Sequence, residues 1–169
     1  MATQHARRGD VKMASSDSEV PAANKARQLG FVEILQNQGK LDRVPEFVRE
    51  NAVDHSLPPG MPGGAAGVAA VLGAIRAGFP DHDAKVIHMV AEGDLVATYK
   101  TFTGTNSGDF FGMPPTGRRA TIRVMDFVRY EDGRIAEHWN IVDMAGLMQQ
   151  LGDGPSRPPN RVSGGGFLR

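Results

Sequence analysis

The sequence predicts an α+β fold in which helices come first and pack on an antiparallel sheet. Three observations carry this. Apolar residues recur at helical spacing through the first half of the chain. The second half breaks into β-branched and aromatic runs separated by short polar turns. No helical pattern interrupts those runs, so they form a meander rather than the alternating units of a parallel sheet.

Each element follows from local chemistry. Ala26, Leu29, Val32 (or Phe31) and Leu35 form one helical stripe, stopped by Gly39. A short second helix carries Leu41, Val44, Phe47 and Val48, with Pro45 in its first turn, where no N–H is needed. Residues 51–63 are dense in Pro and Gly and read as a loop. A third helix at 64–77 turns Val68, Val71, Leu72 and Ile75 to the core. Strands are expected at 83–90, 95–105, 119–130 and 134–142, and a last helix at 143–151 ends at Gly152.

The chain has 169 residues, which fits one domain. Its 19 basic and 19 acidic residues cancel, which argues against nucleic acid as a partner. It has no Cys, hence no disulfide, thiolate nucleophile or Cys-based metal site. No stretch has the apolar length of a signal peptide or a membrane span, so the chain reads as a soluble cytoplasmic protein. Residues 1–21 and 153–169 read as tails too polar or too rich in Gly, Pro and Ser to order themselves, which leaves residues 22–152 as the domain.

The strand at 119–130 contains the main chemical signal. Ile122, Val124 and Val128 point one way with Asp126 among them, while Thr121, Arg123 and Arg129 point the other way. An unpaired carboxylate on an apolar face is costly. Two readings stand: a general acid/base whose pKa is raised by apolar walls, or a structural Asp bonded to a neighbour. A three-residue turn at Glu131-Asp132-Gly133 would pair Asp126 with His138 and Val124 with Asn140. A two-residue Asp-Gly turn would pair Asp126 with Trp139 instead. A carboxylate neighbour would fix the tautomer of His138. Trp139 is core filler or a flat wall for a planar ligand. His55 lies in a proline-stiffened loop that could aim it inward, whereas His82 and His88 have no evident partner. No motif spacing supports a metal site or a nucleotide cradle.

A wider pattern is present as well. Phe111-Gly112-Met113-Pro114-Pro115-Thr116-Gly117-Arg118-Arg119, Asp126, Glu131-Asp132-Gly133-Arg134-Ile135 and Glu137-His138-Trp139-Asn140-Ile141-Val142-Asp143 together resemble the SnoaL-like polyketide cyclase family. Asp54-His55-Ser56, Gly78-Phe79-Pro80-Asp81 and Leu147-Met148-Gln149-Gln150-Leu151-Gly152 fit it too. The resemblance implies a nuclear transport factor 2-like cone, with helices packed on a curved antiparallel sheet around a cavity. It implies a hydrophobic small-molecule ligand, a homodimer through the sheet, and neither cofactor nor metal. It further implies ring closure by intramolecular aldol condensation, with Asp126 in the place of the cavity acid/base and His138 in that of the family's His. Such chemistry needs a base and a donor to the developing alkoxide, which Asp126 and His138 would supply. His55, Asn106, Trp139 and Asn140 are the expected substrate contacts. Asn106 and Asn140 stand where many relatives would carry His and Asp.

The leading reading is a cofactor-independent cyclase or isomerase acting by general acid/base catalysis. The alternatives are a non-catalytic binding domain on the same cone and a small ester or epoxide hydrolase. A hydrolase would need a second cavity carboxylate. Strand parity does not clearly supply one, because Glu137 falls on the opposite face.

Overall fold

The computed structural model describes residues 16–57 and 59–152. Residues 1–15 and 153–169 of the expected tails lie outside the described residues. The first helix, α1, spans Ser16–Phe31 and so begins before residue 22. It runs on as a wider π-helical turn, Val32–Asn37, that carries Val32, Leu35 and Gln36 into the interior. Leu29, expected on the buried stripe, is exposed, and Phe31 takes the core position.

The second helix is shorter than its apolar stripe suggests. A 3-10 turn, Leu41–Arg43, leads into α2, Val44–Phe47, and Val48 already opens a strand. That strand, β1, spans Val48–Asp54, where the sequence reads as helix end and loop. Its pattern hides it, since only Val48 and Ala52 are buried and a bulge falls between Val48 and Val53. α3, Gly64–Gly78, follows. The remaining strands are β2, Asp83–Glu92; β3, Leu95–Thr105; β4, Arg119–Glu131; and β5, Arg134–Val142. The last helix, α4, spans Met144–Leu151; the Asp143 side chain caps its start, and Gly152, at φ +97°, ends it.

The five strands form one sheet in the order β1-β5-β4-β3-β2. β2 to β5 are antiparallel neighbours, as the meander requires. β1 pairs with β5 in parallel, so the sheet is mixed rather than wholly antiparallel. One face of β4 buries Ile122, Val124, Asp126, Val128 and Tyr130 beneath the helices, and the other is open. Gly64 lets α3 abut β1. Its φ is +63°, and a Cβ there would lie 1.8 Å from the Glu50 carbonyl oxygen. No helix among the described residues is long and apolar enough to cross a membrane.

The β4–β5 hairpin corrects both expected registers. Asp132 and Gly133, at φ +50° and +70°, form a two-residue turn that pairs Glu131 with Arg134. A bulge then adds one residue to β5, so Tyr130 pairs with Ile135 but Arg129 with Glu137. Asp126 therefore pairs with Asn140, and His138 with Val128. The two-residue turn flips the parity and the bulge flips it back. His138 thus keeps the face of Asp126 although it is not directly opposite.

Candidate active site

Between the helices and the inner sheet face lies a cavity of about 640 Å³. Its walls are mainly apolar, from Phe31, Leu72, Phe102, Ile122 and Val128. Four charged side chains interrupt them: Asp54, Lys100, Asp126 and His138. Lys100 Nζ lies 2.8 Å from Asp126 Oδ2. His138 Nε2 lies 3.0 Å from Asp126 Oδ1, and its Nδ1 lies 2.9 Å from Asp54 Oδ2. Asp54 Oδ1 also accepts the Ser56 backbone N–H at 2.8 Å.

Strand pairing builds this row. β3 supplies Lys100, opposite Val124 of β4, and β4 supplies Asp126. β5 supplies His138, and the parallel strand β1 brings Asp54 alongside it. The Asp126–His138 contact is therefore a diagonal one across the β4–β5 ladder.

Burial and charge compete at each group. Burial alone would raise the Asp126 pKa, but the Lys100 ammonium and the His138 imidazole outweigh it and hold the carboxyl below its ordinary range. Asp54 is likewise lowered, with His138 outweighing burial. Burial disfavours the charged imidazole, yet the two carboxylates push His138 up to about 9. At neutral pH both His138 nitrogens therefore carry protons and donate to Asp54 and Asp126. Apolar walls would raise the Asp126 pKa only without a compensating charge on His138; that charge is present, joined by Lys100, and the pKa falls.

Sequence reasoning missed two members of this row. Lys100 sits among Val96, Thr98 and Phe102 on the buried parity of β3, the same signal that marks Asp126. Asp54 falls in a segment that reads as loop, where no strand parity marks it as inward-facing. With β1 as a strand, Asp54 faces inward and His55 outward.

The other expected contacts divide. Asn140 lines the cavity. Its backbone N–H donates to Ser56 Oγ at 2.7 Å. Trp139 is on the outer sheet face, stacked on His55 with ring centroids 4.6 Å apart, and neither lines the cavity. Asn106 is fully buried but outside the cavity wall. Its amide donates to the Gly108 carbonyl at 3.0 Å and accepts from the Thr116 N–H at 2.9 Å, so it clamps the loop before β4. His82 is structural, with its ring nitrogens each 2.8 Å from a carbonyl oxygen, of Phe79 and of Gln36. Gln36 also lines the cavity, and its Oε1 has no hydrogen-bond partner among the described residues. Among those residues, no group of three His, Cys, Asp or Glu side chains is arranged to hold a metal ion.

Such a cavity can take an apolar ligand and offer it two carboxylates, one ammonium and a few amides. Comparison with known proteins gives this arrangement a context. Nogalonic acid methyl ester cyclase of Streptomyces nogalater is 31% identical over 120 residues, which cover 69% of this chain and 89% of that one. Aklanonic acid methyl ester cyclase of Streptomyces peucetius is 31% identical over 122 residues, 69% of this chain and 83% of that one. Among solved structures, TsrD from Streptomyces laurentii superposes with a TM-score of 0.72 at 26% identity, covering 78% of this chain and 96% of that one. IdmH from Streptomyces antibioticus superposes with a TM-score of 0.67 at 37% identity, covering 76% and 98%. Residues 26–151 match the SnoaL-like polyketide cyclase family. With the fold and those relatives, this places the chain in that family.

Proposed function

We propose that the protein closes a ring of an aromatic polyketide by intramolecular aldol condensation, with Asp126 as the general acid/base. One observation carries the reading: an ionised carboxylate, 3% exposed, stands on the wall of a large apolar cavity. Aldol closure needs a base for an acidic C–H, an apolar space that holds two reacting carbons together, and stabilisation of a developing oxyanion. Asp126 takes the proton from the carbon between two carbonyls. That carbon attacks a further carbonyl elsewhere in the chain, and Asp126 returns the proton to the new alkoxide. Both N–H groups of His138 are committed to carboxylates, so it orients and charges the site rather than donating to the ligand.

The two methyl esters named for the relatives are natural first substrates. Wild-type protein is expected to convert at least one to a ring-closed isomer of unchanged mass, followed by chromatography. No conversion of either, alongside measurable binding, would favour the non-catalytic reading.

Asp54 gives the hydrolase alternative a specific support, since it is a second cavity carboxylate. It differs from the cyclase reading in its product, which would gain the mass of water.

The working form is a cytoplasmic homodimer that pairs outer sheet faces. Met125, Phe127, Trp139 and Ile141 are exposed there, Ile141 at 76%. Apolar surface of this kind commonly marks an interface. Phe127→Asp is expected to convert a dimer to a monomer in light scattering. A wild-type mass of one 18.1 kDa chain at micromolar concentration would contradict the dimer. The balanced charge, 19 against 19, offers no net attraction to nucleic acid.

A further inference from the structure

We propose that Lys100 is a catalytic residue whose ammonium binds the substrate oxygen on which negative charge develops. The proposal rests on the aldol reading above. Lys100 stands on β3 with its side chain 5% exposed, on the cavity wall. Its Nζ lies 2.8 Å from Asp126 Oδ2 and 5.3 Å from the centroid of the Phe102 ring. An ammonium has three N–H donors. Among the described residues, Asp126 is its one charged partner, and no side-chain hydrogen bond holds its ammonium. Its side chain lines the cavity, so a bound ligand can meet it.

His138 supplies the contrast. It is the other cation of the site, but Nδ1 faces Asp54 and Nε2 faces Asp126. It has no N–H left for a ligand. Of the two cations, only Lys100 can turn a donor toward a bound carbonyl.

The charge flow of ring closure fits this position. A C–H bond breaks, its proton goes to Asp126, and its electron pair delocalises onto the adjacent carbonyl oxygen. One negative charge has then moved from the carboxylate to the enolate. An ammonium that touches both oxygens keeps a partner before and after, so no cation has to be repositioned or resolvated. The new C–C bond forms as the second carbonyl becomes an alkoxide, and Asp126 gives its proton to that oxygen. Lys100 keeps its three protons throughout, and no co-reactant is consumed.

The test separates this role from a merely structural one. Asp126→Asn resembles the site after proton abstraction, with a neutral group beside Lys100. The probe is 1-hydroxyanthraquinone, a planar phenol whose ionisation is read by absorbance. Bound to Asp126→Asn, its apparent pKa is expected to fall by about 1–2 units, because the ammonium favours the phenolate. Adding Lys100→Met should abolish that fall while the probe still binds. This background leaves no orphaned Asp126 carboxylate, and Lys100→Gln serves as a second variant should the Met form fail to fold. No fall in Asp126→Asn, or an equal fall in a folded double variant, would overturn the proposal. Neither arm needs turnover, so a failure of the aldol reading is seen separately.

With active protein, Lys100→Met alone should lower kcat by about 10²-fold across the whole pH range. A role limited to keeping Asp126 ionised would instead show full recovery at high pH, and that result would also overturn the proposal.

Discussion

Two carboxylate clusters sit on opposite faces of the same sheet, built from nearly the same parts. On the inner face Asp126 is held by Lys100 at 2.8 Å and His138 at 3.0 Å. On the outer face Glu137 is held by Arg129 at 2.7 Å and His55 at 3.0 Å. Contact distances do not distinguish them. Exposure does: the side chain of Asp126 is 3% exposed and that of Glu137 is 28%. Water and salt screen the outer cluster, where such pairs contribute little. The inner cluster lacks that screening, and each of its groups depends on the others to remain charged. The difference teaches that enclosure, rather than the presence of a histidine and a carboxylate, makes a reactive site.

The largest expected effect on this contrast is catalytic. Asp126→Asn should lower turnover by about 10²-fold or more while ligand binding survives. Glu137→Gln should leave turnover within about twofold, because its carboxylate never meets the cavity. Equal losses in the two variants would erase the distinction between the faces.

The next effect is on stability. Asp54→Asn removes one of the two carboxylates that hold the His138 imidazolium and should lower Tm by roughly 2–6 °C. Thermal melts of Glu137→Gln should overlay wild type, since an exposed ion pair adds little. A larger fall in the outer variant would mean that the outer cluster supports the β4–β5 bulge.

A smaller effect appears in the pH dependence of Tm. His138 is raised from 6.5 to about 9, so its contribution is complete below about pH 6.5 and is lost as pH rises through about 9. Asp126 and Asp54 lie below their ordinary 3.8, so their contributions are complete above that value and fade only as pH falls through their lowered values. The melting temperature should therefore decline on the alkaline side between about pH 7 and 9, and His138→Gln should remove that decline. A Tm decline of equal size in His138→Gln would assign the pH dependence to another group.

Much of this was legible in the sequence because it depends on local pattern. β3 and β5 have the expected limits, and Asp126 lies on the buried parity of β4. The rest depends on pairings that no single strand encodes. β1 lacks alternation, so its parallel pairing with β5 was invisible, and with it the inward turn of Asp54. The two-residue turn and the bulge in β5 together moved the partner of Asp126 from His138 to Asn140. Lys100 was readable in principle, since its place between Thr98 and Phe102 breaks an apolar face as Asp126 does. Asn106 and Trp139 show the reverse error. Asn106 stands where many relatives would carry His and Trp139 follows His138 in the family motif, yet one holds a loop and the other faces outward.

The central claim is that the inner cluster is a charged network in which His138 is an imidazolium bridging two carboxylates. Nitrogen-15 NMR of the His138 ring through a pH titration tests it most directly. Both ring nitrogens should remain protonated at pH 7.5, with a midpoint at about 9 that drops in Asp54→Asn. A neutral single tautomer at pH 7.5, with a midpoint at or below its ordinary 6.5, would contradict the account.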